Sequence, residues 1–532
     1  MLDPIAVIAN GALTGHPVED FQPIWSCAAM RIARSTWGDC GLEVFLRMDV
    51  PYGATSSGRL SEDAVQLLLE TGPKQQPCRF LEIGGGSGIF AKLFLDSLKE
   101  HAPDIYQTCT YVMTDGSDKM LESQAIYGVL STHAGHVETR VFDASAPWPK
   151  DFIGAFDGVF GSYILDSLPI EILSVGEGGV QQMQARCAAP KPNAALKTAL
   201  KTAGNAHLTP FLACAKHLRI QTRHIKAGPL PYGDALPPSE GDDTPMVHCH
   251  GAIACVENIE KSLRPRGIAM LSDYGTLAPR EPSEQIEFQN FGSSAALAVN
   301  FHQLDSWFAN KEIAYLKPDA EEGHLITRVL YHGAETDLFE LVDLLFGIDR
   351  QRALRLPVEA AREMLRGNAF ETARQLYSKA MALQPRNWSL IEEVAELLLL
   401  NAKDYKDAIK LAEIGLSLNP FGPNLHRIIA EARLHLDDIS GAQSAMSDCL
   451  RLSGASPQTY LLLADIEHRS GNTEAALTAI AKGLAIDTES DRREDLTNLQ
   501  NDILLKISKT ARKELLADVN RSRNLDAITL RP

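Results

Sequence analysis

Between Phe80 and Gly88 the chain reads FLEIGGGSG: a short apolar run, an acid, then four glycines within five residues. Arg79–Ile83 has the length and composition of a buried strand. Ile89–Leu98 follows, with Phe90, Leu93, Phe94 and Leu98 on one helical face. A strand, a glycine turn and a helix therefore succeed one another. Glycines at such a turn admit positive φ and leave the backbone bare of side chains. Glu82 stands two residues before the turn, at the end of the strand.

Outward from this unit the same grammar repeats. Thr110–Thr114 reads as a second strand closed by Asp115, and Met120–Val129 as a second helix. Val137–Phe142 reads as a third strand closed by Asp143, and Phe156–Ser162 as a fourth. Residues 170–245 interrupt the rhythm with helix-like stretches, Ala194–Ala203 and Pro210–Arg219, and a Gly/Pro/acid loop, Gly228–Pro245. It resumes with a helix through Ala252–Leu263 and a strand, Gly267–Ser272, ending at Asp273. Upstream, Phe21–Met48 reads as helical, with Trp25, Ile32 and Phe45 as apolar contacts, and Ser61 as the N-cap of a helix carrying Ala64 and Leu67–Leu69. Strands alternating with helices imply right-handed crossovers and a mainly parallel sheet, a Rossmann-like α/β domain.

The turn discriminates between ligands. A pyrophosphate-binding turn reads G-x-G-x-x-G. Counted from Gly84, the last position here is Ile89, and the glycine falls one residue early, at Gly88. Adenosylmethionine carries no pyrophosphate, and its positive charge suits the Glu82 carboxylate. Asp115, 27 residues after Gly88, stands where a carboxylate can take both ribose hydroxyls, and Asp143 where it can accept from an adenine amino group. Alone, each Asp reads equally as a strand-ending turn residue. Together they give a cofactor set of Glu82, Gly84, Gly85, Gly86, Gly88, Asp115, Gly116, Asp143, Ala144 and Ser162. This ordered set resembles class I methyltransferases that use S-adenosyl-L-methionine. A nucleotide-dependent oxidoreductase is disfavoured by the glycine spacing.

A narrower resemblance rests on YGATSS (Tyr52–Ser57), LEIGGGSG, TDGSDKMLESQ (Thr114–Gln124), SYILDSLP (Ser162–Pro169), LSDYG (Leu271–Gly275) and AALAVNF (Ala295–Phe301). In this order they are similar to the signatures of the MidA family, relatives of the mitochondrial complex I assembly methyltransferase. The resemblance implies protein arginine methylation. Two departures bear on the acceptor. Ser162 and Tyr163 replace the family's Asn-Glu, and Thr55–Gly58 departs from its Thr-Ser-Pro-Glu. Tyr163 cannot form a bidentate charged pair with a guanidinium. Asp166 is retained, either to orient a cationic acceptor or act as a base, or as a helix N-cap before Leu168. Tyr274 either lines the acceptor pocket or packs at its strand's end. With Tyr163, these are the candidate catalytic residues.

Beyond residue 357 the chain changes to helix pairs. Small residues recur at Ala373, Ala408, Ala442 and Ala476, and again seven residues later at Ala380, Gly415, Cys449 and Gly483. The 34-residue period, with Pro385 and Pro420 closing the first two units, resembles the tetratricopeptide repeat. The expected organisation is an extension over 1–48, a methyltransferase domain over 49–345 with an insertion at about 170–245, a linker over 346–356, an all-α repeat solenoid over 357–490, and a capping helix and tail over 491–532. Such repeats dock protein partners or substrates.

The 532 residues are several domains' worth, with 45% hydrophobic content. The net charge of −17 lies almost wholly in residues 1–345 and argues against nucleic-acid binding. No uncharged apolar stretch is long enough to span a bilayer, so no membrane partner is expected. Nine cysteines without a C-x-x-C pair predict reduced thiols and a cytoplasmic location. His248, Cys249, His250 and Cys255 lack a second pair at ligand spacing, so no metal site is expected. Two readings stay open. The first is an enzyme methylating a protein side chain. The second is a cofactor-binding scaffold, without acceptor chemistry, that acts through its repeats.

Overall fold

The computed structural model describes residues 15–46, 52–53, 56–72, 76–202, 205–215, 217–238, 244–279, 289–291, 294–323, 325–333, 338–487 and 490–529. It comprises two compact units, Met1–Ser389 and Leu390–Pro532.

The first unit is built on one sheet. In chain order its strands are β1 (Arg79–Ile83), β2 (Thr110–Asp115), β3 (Val137–Val141), β4 (Phe156–Ser162), β5 (Leu263–Thr276), β6 (Ala314–Leu316) and β7 (Leu325–Tyr331). They lie in the order β6-β7-β5-β4-β1-β2-β3. β3, β2, β1, β4 and β5 run parallel, while β7 is antiparallel to both β5 and β6. β1 is buried along nearly its whole length because both its faces are covered, with Glu82 as the one buried acid within it. Phe80 packs with Phe94 and Phe160 on one side, whereas Leu81 and Ile83 join the core on the other.

The helices of this unit include α1 (Ala28–Cys40), α2 (Arg59–Glu70), α3 (Ile89–His101), α4 (Asp118–Tyr127), α5 (His250–Ser262), α6 (Phe301–Phe308), α7 (Ile348–Arg366) and α8 (Phe370–Leu383). Ser61 is not the N-cap of α2. The helix starts at Arg59 behind Gly58, whose φ is 61°, and the Ser61 hydroxyl donates to the Phe90 carbonyl at 3.1 Å.

Residues 170–245 fold differently from the sequence reading. Glu171–Gly176, Gly179–Ala189, Arg219–Lys226 and Pro245–His248 form a separate antiparallel sheet, which His16–Pro17 and Gln22–Pro23 join. Within Pro210–Arg219 only Leu212–Ala215 is α-helical, and Arg219 already begins a strand. The buried face of the longest strand is Met183, Ala185 and Cys187, residues with too little β-propensity to announce it.

Helix α9 (Trp388–Leu397) crosses into the second unit. That unit continues with α10 (Tyr405–Leu418), α11 (Pro423–His435), α12 (Ile439–Ser453), α13 (Pro457–Arg469), α14 (Thr473–Ile486) and α15 (Arg493–Thr529). The starts of α10, α12 and α14 recur every 34 residues, each behind a capping side chain. Asp404, Asp438 and Asn472 accept from the backbone N–H three residues on. Ala408, Ala442 and Ala476 are fully buried. A Cβ on Gly415 would come 2.8 Å from Leu425, so the small residue lets α10 and α11 approach. Among the described residues no helix is long and apolar enough to cross a membrane.

Candidate functional site

The ends of β1, β2 and β4 converge on the glycine turn. Gly84, Gly86 and Gly88 have φ of 68°, 50° and 73°, a region costly for other residues. Gly85 is small for another reason: a Cβ there would lie 2.7 Å from Met113. Thr114 ties the turn to β2, its hydroxyl donating to the Glu82 carbonyl at 2.7 Å and its carbonyl accepting from Gly85 N–H at 2.8 Å. The loop after β4 reaches the same place, with Ile164 3.2 Å from where a Gly84 Cβ would stand.

The acids hold distinct positions around this turn. Glu82 is buried, accepts from the Tyr111 hydroxyl at 3.0 Å, and is pushed by burial to a pKa of about 8. Asp115 accepts from Gly86 N–H at 3.1 Å and Ser117 N–H at 2.9 Å, and burial raises its pKa. Beyond it, Gly116 faces open space, where a Cβ would meet only the Phe142 carbonyl at 3.9 Å. Asp143 is exposed and caps its own turn, accepting from the Ser145 N–H and hydroxyl at 2.9 and 2.7 Å. Ala144 beside it is buried.

A second group follows β4 and β5. Ser162 ends β4 in register with Ser272. Tyr163 takes a left-handed backbone, φ 54°, and its phenol is pushed by burial to about 12, with Asp273 and Asp166 adding to the effect. Asp166 does not cap a helix. It sits inside the single turn Leu165–Ser167, buried, accepting from the Ser167 hydroxyl at 3.0 Å, and burial pushes its pKa to about 6. The sequence reading passed over Asp273 as a site residue. Its carboxyl is fully buried and accepts from the N–H groups of Leu165, at 2.6 Å, and Tyr274, at 2.7 Å. Burial, then the neighbouring Asp166, hold its pKa well above the usual carboxylate range. Its place in the LSDYG motif was the available signal. Tyr274 lies half-buried in β5, opposite Leu325.

Charge balance sets this region apart. Among the described residues no cation pairs with Glu82, Asp166 or Asp273. By contrast, Asp63 is matched by Arg59 and Arg350, Asp157 by Arg264, and Asp305 with Glu321 by the buried Arg328. A buried carboxyl without a partner either stays protonated or awaits a cation.

The N-terminal segment reaches the turn as well. Phe45, in the short helix Glu43–Leu46, has its ring 3.4 Å from a Cβ placed on Gly86. His248 serves packing: its Nε2 donates to the Pro231 carbonyl at 2.7 Å, and its Nδ1 accepts from the Gln303 amide at 2.8 Å. Among the described residues no cluster of His, Cys, Asp and Glu is suited to a metal.

A family match falls on the same part of the chain. Residues 59–311 match a methyltransferase family. Its description is "Putative S-adenosyl-L-methionine-dependent methyltransferase", and the match spans the sheet through β5 and the insertion. The cofactor of that family is S-adenosyl-L-methionine. No curated protein matches the chain. Among solved structures, an uncharacterized protein from Burkholderia thailandensis is similar at 14% identity over 60% of this chain and 90% of its own, with a TM-score of 0.40. Another from that organism, titled a "likely methyl transferase" bound to S-adenosyl-homocysteine, is 14% identical over 56% of this chain and 74% of its own, TM-score 0.37. MamA from Desulfovibrio magneticus RS-1 is 16% identical over 30% of this chain and 96% of its own, TM-score 0.25. The chain thus carries a methyltransferase-like α/β domain followed by a helical C-terminal region.

Proposed function

We propose that the protein binds S-adenosyl-L-methionine at the Gly84–Gly88 turn and methylates a nitrogen on a protein side chain. The observation that carries this reading is the set of three buried carboxyls, Glu82, Asp166 and Asp273, with which no cation pairs among the described residues. The residues present suit the cofactor: Glu82 a positive ligand, Asp115 the ribose hydroxyls, and the space at Gly116 and Asp143 the base. When bound, the cofactor supplies an activated methyl group. The chain's own part is to position the acceptor and remove its proton. Asp166, whose pKa burial raises toward the range that suits a general base, takes that proton. Asp273 holds the Leu165–Asp166 backbone in place. Tyr163 and Tyr274 form the rim. The 34-residue helical pairs of the second unit, read as tetratricopeptide repeats, dock the protein that carries the acceptor.

Radiolabelled methyl transfer into lysate protein, by the full chain, tests the reading. Asp166→Asn should lower transfer at least tenfold and leave S-adenosyl-homocysteine affinity unchanged. No transfer by the wild type, with the cofactor still bound, supports the second reading. On that reading the chain is a cofactor-binding scaffold lacking acceptor chemistry, and Tyr163 in place of the family's Glu favours it.

A further inference from the structure

Gln124 lies near the end of α4 and is 3% exposed. Its amide nitrogen donates to the Gly86 carbonyl at 2.5 Å. On its other side the Gly86 N–H donates to Asp115. The strained glycine at the middle of the turn is therefore gripped at both its peptide groups by the segment that runs from β2 into α4. The neighbouring Ser123 accepts from Leu42 N–H at 3.1 Å, so the same helix also anchors the segment that carries Phe45.

The other end of the Gln124 carboxamide is unsatisfied. Its Oε1 is buried and has no hydrogen-bond partner among the described residues. Exchanging the two ends of the amide gives no relief, since that would set oxygen against the Gly86 carbonyl oxygen. Leaving a buried acceptor unpaired is costly. Here the cost falls beside the turn, where a Cβ on Gly88 would lie 3.6 Å from the Gln124 carboxamide carbon. An apolar residue of the same size would fill this space without that penalty.

We infer that Gln124 is a positioning residue of the cofactor site, its nitrogen fixing the turn and its oxygen accepting from an N–H or O–H of the bound cofactor. The inference rests on the adenosylmethionine reading and assigns a role to a residue that neither the glycine turn nor the strand-ending acids contain. Gln124→Met keeps the volume and removes both the donor and the unpaired acceptor. Gln124→Glu, held protonated at this buried position, keeps an O–H to donate to the Gly86 carbonyl and an oxygen to accept.

Calorimetric titration of the full chain with S-adenosyl-homocysteine, alongside thermal melts without ligand, tests it. Gln124→Met should bind 10- to 100-fold more weakly, while its ligand-free melting temperature is not lowered, because the orphan acceptor goes with the lost Gly86 bond. Gln124→Glu should recover most of that affinity. A purely structural role gives the reverse pattern: a lowered melting temperature and unchanged affinity in the folded fraction. That result overturns the inference, as does equal loss of affinity in both variants. If the methionine variant does not fold, the glutamate variant decides, and a hundredfold loss there overturns it. A wild type that fails to bind S-adenosyl-homocysteine overturns the adenosylmethionine reading itself, a result distinct from any difference between variants.

Discussion

Glu82 shows how one residue can couple ligand, proton and stability. Its folded-state pKa, about 8, lies above the ordinary value of 4.5, chiefly through burial. Between those pH values the folded chain binds a proton that the unfolded chain has released. Stability therefore falls as pH rises through this window. Asp166 and Asp273 contribute with the same sign, so the useful quantity is the difference between wild type and Glu82→Gln. Without ligand, the melting temperature of the variant should exceed that of the wild type by a margin that grows from pH 5 to pH 8, as read by scanning calorimetry. A cationic ligand reverses the preference by favouring the ionised carboxyl. Wild-type affinity for S-adenosyl-L-methionine should then rise by up to about tenfold per pH unit below pH 8, and this slope should vanish in Glu82→Gln. A flat difference in both measurements would show that Glu82 does not titrate in this range. Glu82 and Asp115 stand out in the sequence only as a set, because each alone reads equally as a strand-ending residue and only their order beside the glycines points to a ligand. Asp273 and Gln124 lie in the LSDYG and TDGSDKMLESQ motifs, but the contacts they make depend on what folding places around them.

Elements fixed by their own periodicity were read directly. β1, β2 and β4 each carry a short buried apolar run because both faces of a parallel sheet are covered, with Glu82, Thr114 and Asp157 as buried polar exceptions, and the C-terminal helices repeat by spacing alone. The antiparallel insertion escaped because its inward side chains are small; the N-terminal segment is helical over Ala28–Cys40 and Glu43–Leu46 as its sequence reads, and only its partners, distant in sequence, were hidden. Those partners form an aromatic chain. Phe45 packs on Tyr52 at 5.1 Å between ring centroids, and Tyr52 on Trp388 at 5.1 Å. The Trp388 indole N–H donates to the Ser56 carbonyl at 2.9 Å. Arg350 and Arg386 add ion pairs to Asp63 and Glu62 of α2. Trp388, 3% exposed, is thus part of the first unit's core. Trp388→Ala should cost roughly 3–5 kcal/mol in denaturant unfolding, as for other buried large-to-small changes. A loss below about 1 kcal/mol would mean that the aromatic chain does not hold the N-terminal segment on the turn.

At the scale of the whole chain, charge and shape divide the labour. Of the net charge of −17, −12 lies in the first unit and would suit a basic acceptor segment, whereas the helical unit, with 17 basic and 22 acidic residues, would dock a protein by shape and by individual contacts on the proposed reading. A cavity of about 420 Å³ in that unit lies between α13 and α14, lined by Tyr460, Leu463, Glu467, Asn472 and Lys482. It presents Tyr460, one of the residue types enriched in interface hot spots, beside both signs of charge. The residues belong to the second unit, and none of them is in the cofactor set. In the full chain, Tyr460→Ala combined with Lys482→Glu should therefore leave S-adenosyl-homocysteine affinity unchanged while reducing methyl transfer to the protein target by at least fivefold, mainly through KM. Radiolabel incorporation measured across target concentrations separates the two parameters. Unchanged transfer at every concentration would remove this groove from substrate selection, whereas a fall in kcat at unchanged KM would show that the helical unit acts on the reaction rather than on docking.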